Sequence, residues 1–496
     1  MDWTRRSGVL AHPTMLPGRL GAGDLGPAAH AFVAQLAEAG QAVWQVLPLG
    51  PPDGIGSPYA AASAFAGDAL LVSPEALVED GLLARADLAR APSFPEGVVA
   101  REAGEVRLAL LERARAAFEA DAGPADRAAF EAFRADHADW LHDHALFQAL
   151  RRAHGAPFWE RWPAGLRRHL PRDVARARRE LRAEVEAEEL RQWLFRRQWE
   201  ALRAAAHARG VEVFGDVPIF VARDSADVWA HPELFWLDAA GEPTVVAGVP
   251  PDVFSVDGQL WGNPLFDWGV HARTGYAWWI ERVRRTLELV DLVRIDHFRG
   301  FAGYWEIPAA AATAREGRWV PGPGPDLFAA LEAALGPLPV VAEDLGVITP
   351  DVTALLERTG LPGMKILQFA FDGDPGNPFL PENMSPRCVA YPGTHDNQTT
   401  AGWLATAPDE QRARLAARVG REDDLVWGMA EVCLGSPAFL AVLPLQDVLE
   451  LDDRARTNVP GTCEGNWSWR LRPGELDPAR LARLRALTAA TGRLRA

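Results

Sequence analysis

The sequence predicts a (β/α)8 barrel. Eight short apolar runs recur along the chain, helical patterns with glycine stops lie between several of them, and four of the runs end in polar or charged residues, three of them acids. The runs are Ser7–Ala11, Ala42–Pro48, Val211–Asp216, Leu289–Asp296, Leu338–Glu343, Met364–Phe371, Cys388–Thr394 and Ala438–Leu445. Between them, 28–40, 328–336 and 352–360 read as helices, each closed by a glycine.

Two spacings interrupt this rhythm. Strands two and three stand far apart, and much of the interval, from Pro74 to Arg209, is rich in Ala, Arg and Glu with helical periodicity. We read 68–209 as a mainly helical insertion whose charge runs are solvated faces. The second gap, 218–286, is rich in Gly, Pro and Trp and reads as a loop and helix insertion shaping a site. The expected organisation is one catalytic barrel over 1–496 carrying both insertions, with no C-terminal β-sandwich.

Composition narrows the function classes. The 496 residues are 48% hydrophobic and 24% charged, which is ordinary for a folded globular chain. The net charge of −16 argues against nucleic acid or an anionic membrane as partner. Cys388, Cys433 and Cys463 form neither a disulfide framework nor a zinc spacing, and suit a reducing cytoplasm. The apolar run after Arg5 and Arg6 is too short for a signal peptide, and no long uncharged apolar stretch predicts a membrane span.

Catalysis in such barrels sits at the C-terminal strand ends. Strand three ends in Asp216, strand four in Asp296 and strand five in Glu343, and Thr394-His395-Asp396-Asn397 follows strand seven. In strand four, side-chain alternation places Leu292, Arg294 and Asp296 on one face and Val293 and Ile295 on the other. An Arg294 guanidinium pointing into the barrel beside Asp296 keeps that carboxylate ionised, as a nucleophile requires. Glu343 leaves an apolar strand, so burial raises its pKa and lets it donate a proton. Such a pair matches retaining glycoside hydrolysis, and Asp396 could grip ring hydroxyls in the transition state. The segment after strand three offers Asp252, Phe254, Gln259 and Trp261, and the turn after strand two offers Ser57-Pro58-Tyr59. These supply hydroxyl partners and aromatic faces for a sugar. Trp193, Trp199, Trp278 and Trp279 are assigned to packing.

These residues, in this order, resemble the amylomaltases, the 4-α-glucanotransferases of glycoside hydrolase family 77. The resemblance rests on collinear blocks: Gly8-Val9-Leu10-Ala11-His12-Pro13-Thr14, Trp44 to Gly50, Ser57-Pro58-Tyr59, Ser63 to Gly67, Gly215 to Ile219 and Asp224 to Trp229. It continues through Arg294-Ile295-Asp296-His297-Phe298-Arg299-Gly300, Ala342-Glu343-Asp344-Leu345-Gly346, Gly393 to Asn397, Asn458 to Thr462 and Gly465-Asn466-Trp467. It implies Asp296 as nucleophile, Glu343 as general acid and base, and Asp396 as transition-state stabiliser. It further implies glucan contacts at Ser57, Tyr59, Asp216, Asp252, Phe254, Gln259, Trp261, Arg294, His297, Phe369, His395 and Asn458. The implied reaction moves a segment of an α-1,4-glucan to the 4-hydroxyl of another glucan or of glucose. No cofactor and no metal is implied. Three positions depart from the family pattern, Ala60, Val253 and Gln398, and none is one of the three carboxylates. The rival readings are an α-glucan hydrolase with the same acids, a metal-dependent barrel hydrolase and a non-catalytic glucan-binding protein. The lone His12 on strand one argues against the second, and the presence of all three acids against the third.

Overall fold

A computed structural model describes residues 3–155, 158–251 and 255–494. Eight parallel strands form the central sheet: β1 (Arg6–Leu10), β2 (Val43–Gln45), β3 (Glu212–Pro218), β4 (Leu292–Asp296), β5 (Val340–Ala342), β6 (Gly363–Ile366), β7 (Cys388–Tyr391) and β8 (Leu440–Pro444). Their order is β6-β7-β8-β1-β2-β3-β4-β5, and every adjacent pair is parallel. The two ends meet where Ala342 N donates to Pro362 O at 2.8 Å. The result is the expected (β/α)8 barrel, with all eight strands inside or overlapping the apolar runs.

The barrel holds two apolar layers. Leu10, Val43, Phe214, Leu292, Val341, Met364, Ile366, Val389, Tyr391 and Val442 fill its interior. Val9, Trp44, Val213, Val293, Ile295 and Val340 face outward into the larger core shared with the helices. The split of Leu292 from Val293 and Ile295 follows from period-two alternation, and it turns Arg294 and Asp296 toward the barrel mouth. Glycines end the helices where anticipated. Gly336 at φ 78° and Gly360 at φ 64° take positive-φ conformations that terminate Pro325–Leu335 and Pro350–Thr359.

Between β2 and β3 the chain is predominantly helical, from Pro74–Glu79 to the long Arg182–His207. That last helix has 26 residues, so it spans about 39 Å. Its glutamines brace the loop after β2. Gln192 accepts from Gly67 N at 2.9 Å and donates to Gly67 O at 3.0 Å, and Gln198 makes the same pair with Ser73 at 2.7 and 3.2 Å. Two buried amides therefore brace the segment that follows Tyr59, at Gly67 and Ser73.

The segment after β3 contains more than loop and helix. Val245–Val249 and Gln259–Pro264 pair antiparallel and join Gly303–Pro308 and Arg318–Pro321 in a second, four-stranded sheet. β6 ends at Ile366, earlier than its apolar run, because Leu367–Phe369 closes a single tight turn. After β8 come short helices and turns and the helix Pro478–Ala490, and no further sheet forms among the described residues. Trp193, Trp199, Trp278 and Trp279 are all buried. Among the described residues, no helix is long and apolar enough to cross a membrane.

Candidate active site

Arg294 is the hub of the barrel mouth. Register sets it beside Asp216 of β3, and Asp296 follows two residues on along the same face. Its Nη1 donates to Asp216 Oδ2 at 2.7 Å and Oδ1 at 3.0 Å, and its Nη2 donates to Asp296 Oδ1 at 2.6 Å. One buried guanidinium thus joins two carboxylates. Burial works against its charge, but Asp216 and then Asp296 outweigh that, so it stays protonated.

Tyr59 is tied to the same network. Its hydroxyl donates to Asp216 Oδ2 at 2.8 Å. Its ring stacks on His395 with centroids 5.1 Å apart, and Trp467 packs against both, at 5.9 Å from Tyr59 and 6.0 Å from His395.

Glu343 follows β5 directly. Its N–H donates to Ile295 O at 3.0 Å, which sets it beside the end of β4. His297 N donates to Glu343 Oε2 at 2.8 Å and Leu345 N to Oε1 at 2.9 Å. His297 reaches that position with a left-handed backbone at φ 53°, a conformation that costs a non-glycine residue free energy. Burial raises the Glu343 pKa, and the neighbouring Asp296 charge raises it further. Asp296 and Glu343 therefore sit in different surroundings. The first carboxylate is held beside an arginine, and the second is held where its protonated form is favoured.

Asp396 is partly exposed. Asn458 Nδ2 donates to its Oδ1 at 2.6 Å, and His395 Nε2 stands 3.3 Å from the same oxygen. Arg456 locks the backbone by donating to Asp396 O at 2.6 Å and Asn458 O at 2.8 Å. Burial lowers the His395 pKa, so its imidazole is neutral near pH 7.

The remaining expected site residues are distributed around this centre. Trp261 and Gln259 come from the antiparallel sheet, with Trp261 Nε1 donating to Gln259 Oε1 at 3.1 Å. Trp261 is half exposed and meets the His297 ring edge-on at 4.9 Å. Burial brings the His297 pKa down to about 4, which leaves a neutral ring under the tryptophan. Phe369 is exposed just beyond β6 and packs edge-on against Phe379. Ser57 opens the turn of Tyr59, with its N–H on Asp53 Oδ1 at 2.8 Å. Asp252 and Phe254, with the departure Val253, lie outside the described residues.

The Gln398 side chain binds Thr406 and Asp453. Its amide donates to Asp453 Oδ2 at 2.7 Å, which a carboxylate at this position could not do. Sequence reasoning assigned no role to Trp467, Arg456 or Phe220. Trp467 stood inside a recognised block, and that was the available signal. Arg456 and Phe220 carried none, because their contribution is a backbone bond in one case and packing near Trp261 and His297 in the other.

The family model described as 4-alpha-glucanotransferase, of glycoside hydrolase family 77, matches residues 11–477. The chain is 51% identical to the 4-alpha-glucanotransferase of Thermus thermophilus, over the full length of both. It is 45% identical to that of Synechocystis sp., covering 99% of this chain and 98% of the relative. Among solved structures, the amylomaltase from Streptococcus agalactiae in complex with acarbose superposes with a TM-score of 0.96 at 37% identity, covering 99% of this chain and all of that one. The chain belongs to the 4-α-glucanotransferases of glycoside hydrolase family 77.

Proposed function

We propose that the chain carries out disproportionation of α-1,4-glucans by double displacement, with Asp296, Glu343 and Asp396 as its three working carboxylates. Asp296 attacks the anomeric carbon of the donor. Glu343 gives its proton to the glycosidic oxygen as that bond breaks, and the shortened glucan leaves. A β-linked glucosyl ester on Asp296 remains. Glu343, now ionised, takes the proton from the 4-hydroxyl of an acceptor, whose oxygen attacks the same carbon. The ester bond breaks, Asp296 is restored, and an α-linkage results. Two inversions give net retention.

The observation that carries this reading is the single guanidinium of Arg294 joining Asp216 to Asp296, beside a Glu343 whose acid form is favoured. Asp396, held by Asn458, is positioned to bind ring hydroxyls most tightly in the distorted transition state. Tyr59 and Trp261 offer aromatic faces to the donor and acceptor rings, and Ser57, Gln259, His297, Phe369, Asp252 and Phe254 extend the glucan path. Maltooligosaccharides and amylose are the expected donors, and glucose is an expected acceptor. In this reading 68–209 is a mainly helical subdomain, 218–286 is the loop and helix insertion shaping the glucan site, and the enzyme works in the cytoplasm.

Transfer and hydrolysis share the ester and differ in what reaches it. An acceptor bound against Trp261 meets the ester at high effective concentration, which favours transfer over water. Maltotriose is therefore expected to yield glucose together with a ladder of longer oligosaccharides, with no net gain in reducing ends. Chromatography of the products checks this. Reducing ends rising without longer products would assign the protein to hydrolysis.

The raised Glu343 pKa has a direct kinetic consequence. Donor cleavage needs the protonated form, so kcat/KM falls as pH rises through that pKa. The basic limb of the pH profile is expected well above the ~4.3 of a free glutamic acid. A limb at ordinary carboxylic values would show that burial and Asp296 do not act on the proton donor.

A further inference from the structure

The barrel has one seam without a strand ladder, between β5 and β6. Besides the single bond from Ala342 to Pro362, one side chain spans it. Met364 N donates to Asp344 Oδ1 at 2.6 Å, and Lys365 Nζ donates to Asp344 Oδ2 at 3.4 Å. The fit is close. A Cβ on Gly363 would lie 2.5 Å from the Asp344 carboxylate, so glycine admits the carboxylate to the strand. Lys365 is the only lysine among 51 Lys and Arg residues. Met364 and Ile366 occupy the barrel interior, so alternation turns Lys365 outward toward Asp344. Phe379 flanks its ammonium at 5.6 Å, and Cys388 is the other titratable group nearby.

Asp344 stands between two residues of the proton donor's setting. Glu343 precedes it, and Leu345, whose N–H holds Glu343 Oε1, follows it. Beyond Leu345 the loop is exposed from Gly346 to Ile348, and its other anchor is Arg299 Nη1 donating to Val347 O at 2.9 Å. The charged groups acting on Glu343 are Asp296 and Arg294 from β4 and Asp344 itself.

We propose that Asp344, clamped by Met364 and Lys365, is a positioning residue for Glu343. It closes the barrel seam and thereby holds the Leu345 N–H against the carboxyl that moves the proton. The inference rests on the reading of Glu343 as general acid, and the test separates the two.

Asp344→Asn keeps an acceptor for Met364 and loses the ion pair, Asp344→Ala loses both, and Lys365→Arg preserves the charge. The full-length variants are compared on maltotriose, whose leaving group needs a proton, and on α-maltosyl fluoride, whose fluoride departs without one. Glu343→Ala serves as the reference. On maltotriose, kcat/KM is expected to fall roughly 10- to 100-fold for the Asp344 variants, more for Ala than for Asn, and to be largely retained in Lys365→Arg. On the fluoride, kcat/KM, which reports ester formation alone, is expected to stay near the parent value in Asp344→Asn. Parental rates on maltotriose, or equal losses on both donors, would overturn the proposal. If Glu343→Ala itself shows no sparing by the fluoride, the acid assignment fails, and the role given to Asp344 fails with it.

Discussion

Asp296→Asn is expected to lower kcat for maltotriose by on the order of 10⁴-fold or more, because an amide cannot form the glycosyl ester. The fold should survive. Asparagine keeps an oxygen for Arg294 Nη2, and the Asp296 side chain is 29% exposed, so no fully buried charge is left alone. Unfolding stability is expected to change by about 1 kcal/mol. Initial rates combined with thermal unfolding check both halves. A variant that keeps full activity would remove Asp296 from the chemistry. A variant that loses activity only by unfolding would leave the role of Asp296 without support.

Arg294→Met is expected to damage stability and activity together. Asp216 is buried, and Arg294 supplies its two closest charged bonds, at 2.7 and 3.0 Å. Removing one partner of a buried ion pair costs up to about 3–5 kcal/mol, lessened here because burial already raises the Asp216 pKa to about 7 and lets that carboxylate take up a proton. The Tyr59 hydroxyl would be the remaining side-chain donor to Asp216. Asp296 loses the cation beside it, so kcat should also fall. Arg294→Lys is expected to recover less than a conservative exchange suggests, since one ammonium lacks the planar fork that reaches two carboxylates at once. Unfolding midpoints and rates of the two variants test this. A Met variant as stable and active as the parent would contradict the bridging role.

Much of the barrel was legible because its strands are buried on both faces. Parallel strands of this kind read as apolar runs, and the acids that end the third, fourth and fifth runs mark the mouth. In β4 alternation sufficed to send Arg294 and Asp296 inward and Val293 and Ile295 outward. Strand limits were less legible. Ala42–Pro48 contains only Val43–Gln45 as paired strand, because pairing depends on the neighbour's backbone and not on hydrophobicity.

The antiparallel sheet was hidden for a related reason. Val245–Val249 and Gln259–Pro264 contain glycine or proline and lack clean polar alternation, and their partners Gly303–Pro308 and Arg318–Pro321 lie beyond β4 in the chain. Site residues whose chemistry is in the side chain, such as Glu343 and Asp396, could be found from residue type and place. Those acting through backbone could not. His297 serves Glu343 with its N–H, Arg456 serves Asp396 through a carbonyl, and Asp344 binds a backbone N–H twenty positions away. No residue pattern announces such bonds before the fold is known.

Identification of the covalently loaded residue tests the double-displacement account most directly. In Glu343→Gln, α-maltosyl fluoride can load the nucleophile, and the acceptor step is slowed because no base remains. Peptide mass spectrometry should then find the glycosyl group on the segment containing Asp296, and on Asp296 itself after fragmentation. Label on a different carboxylate, or full turnover with no bound sugar at any time, would contradict it.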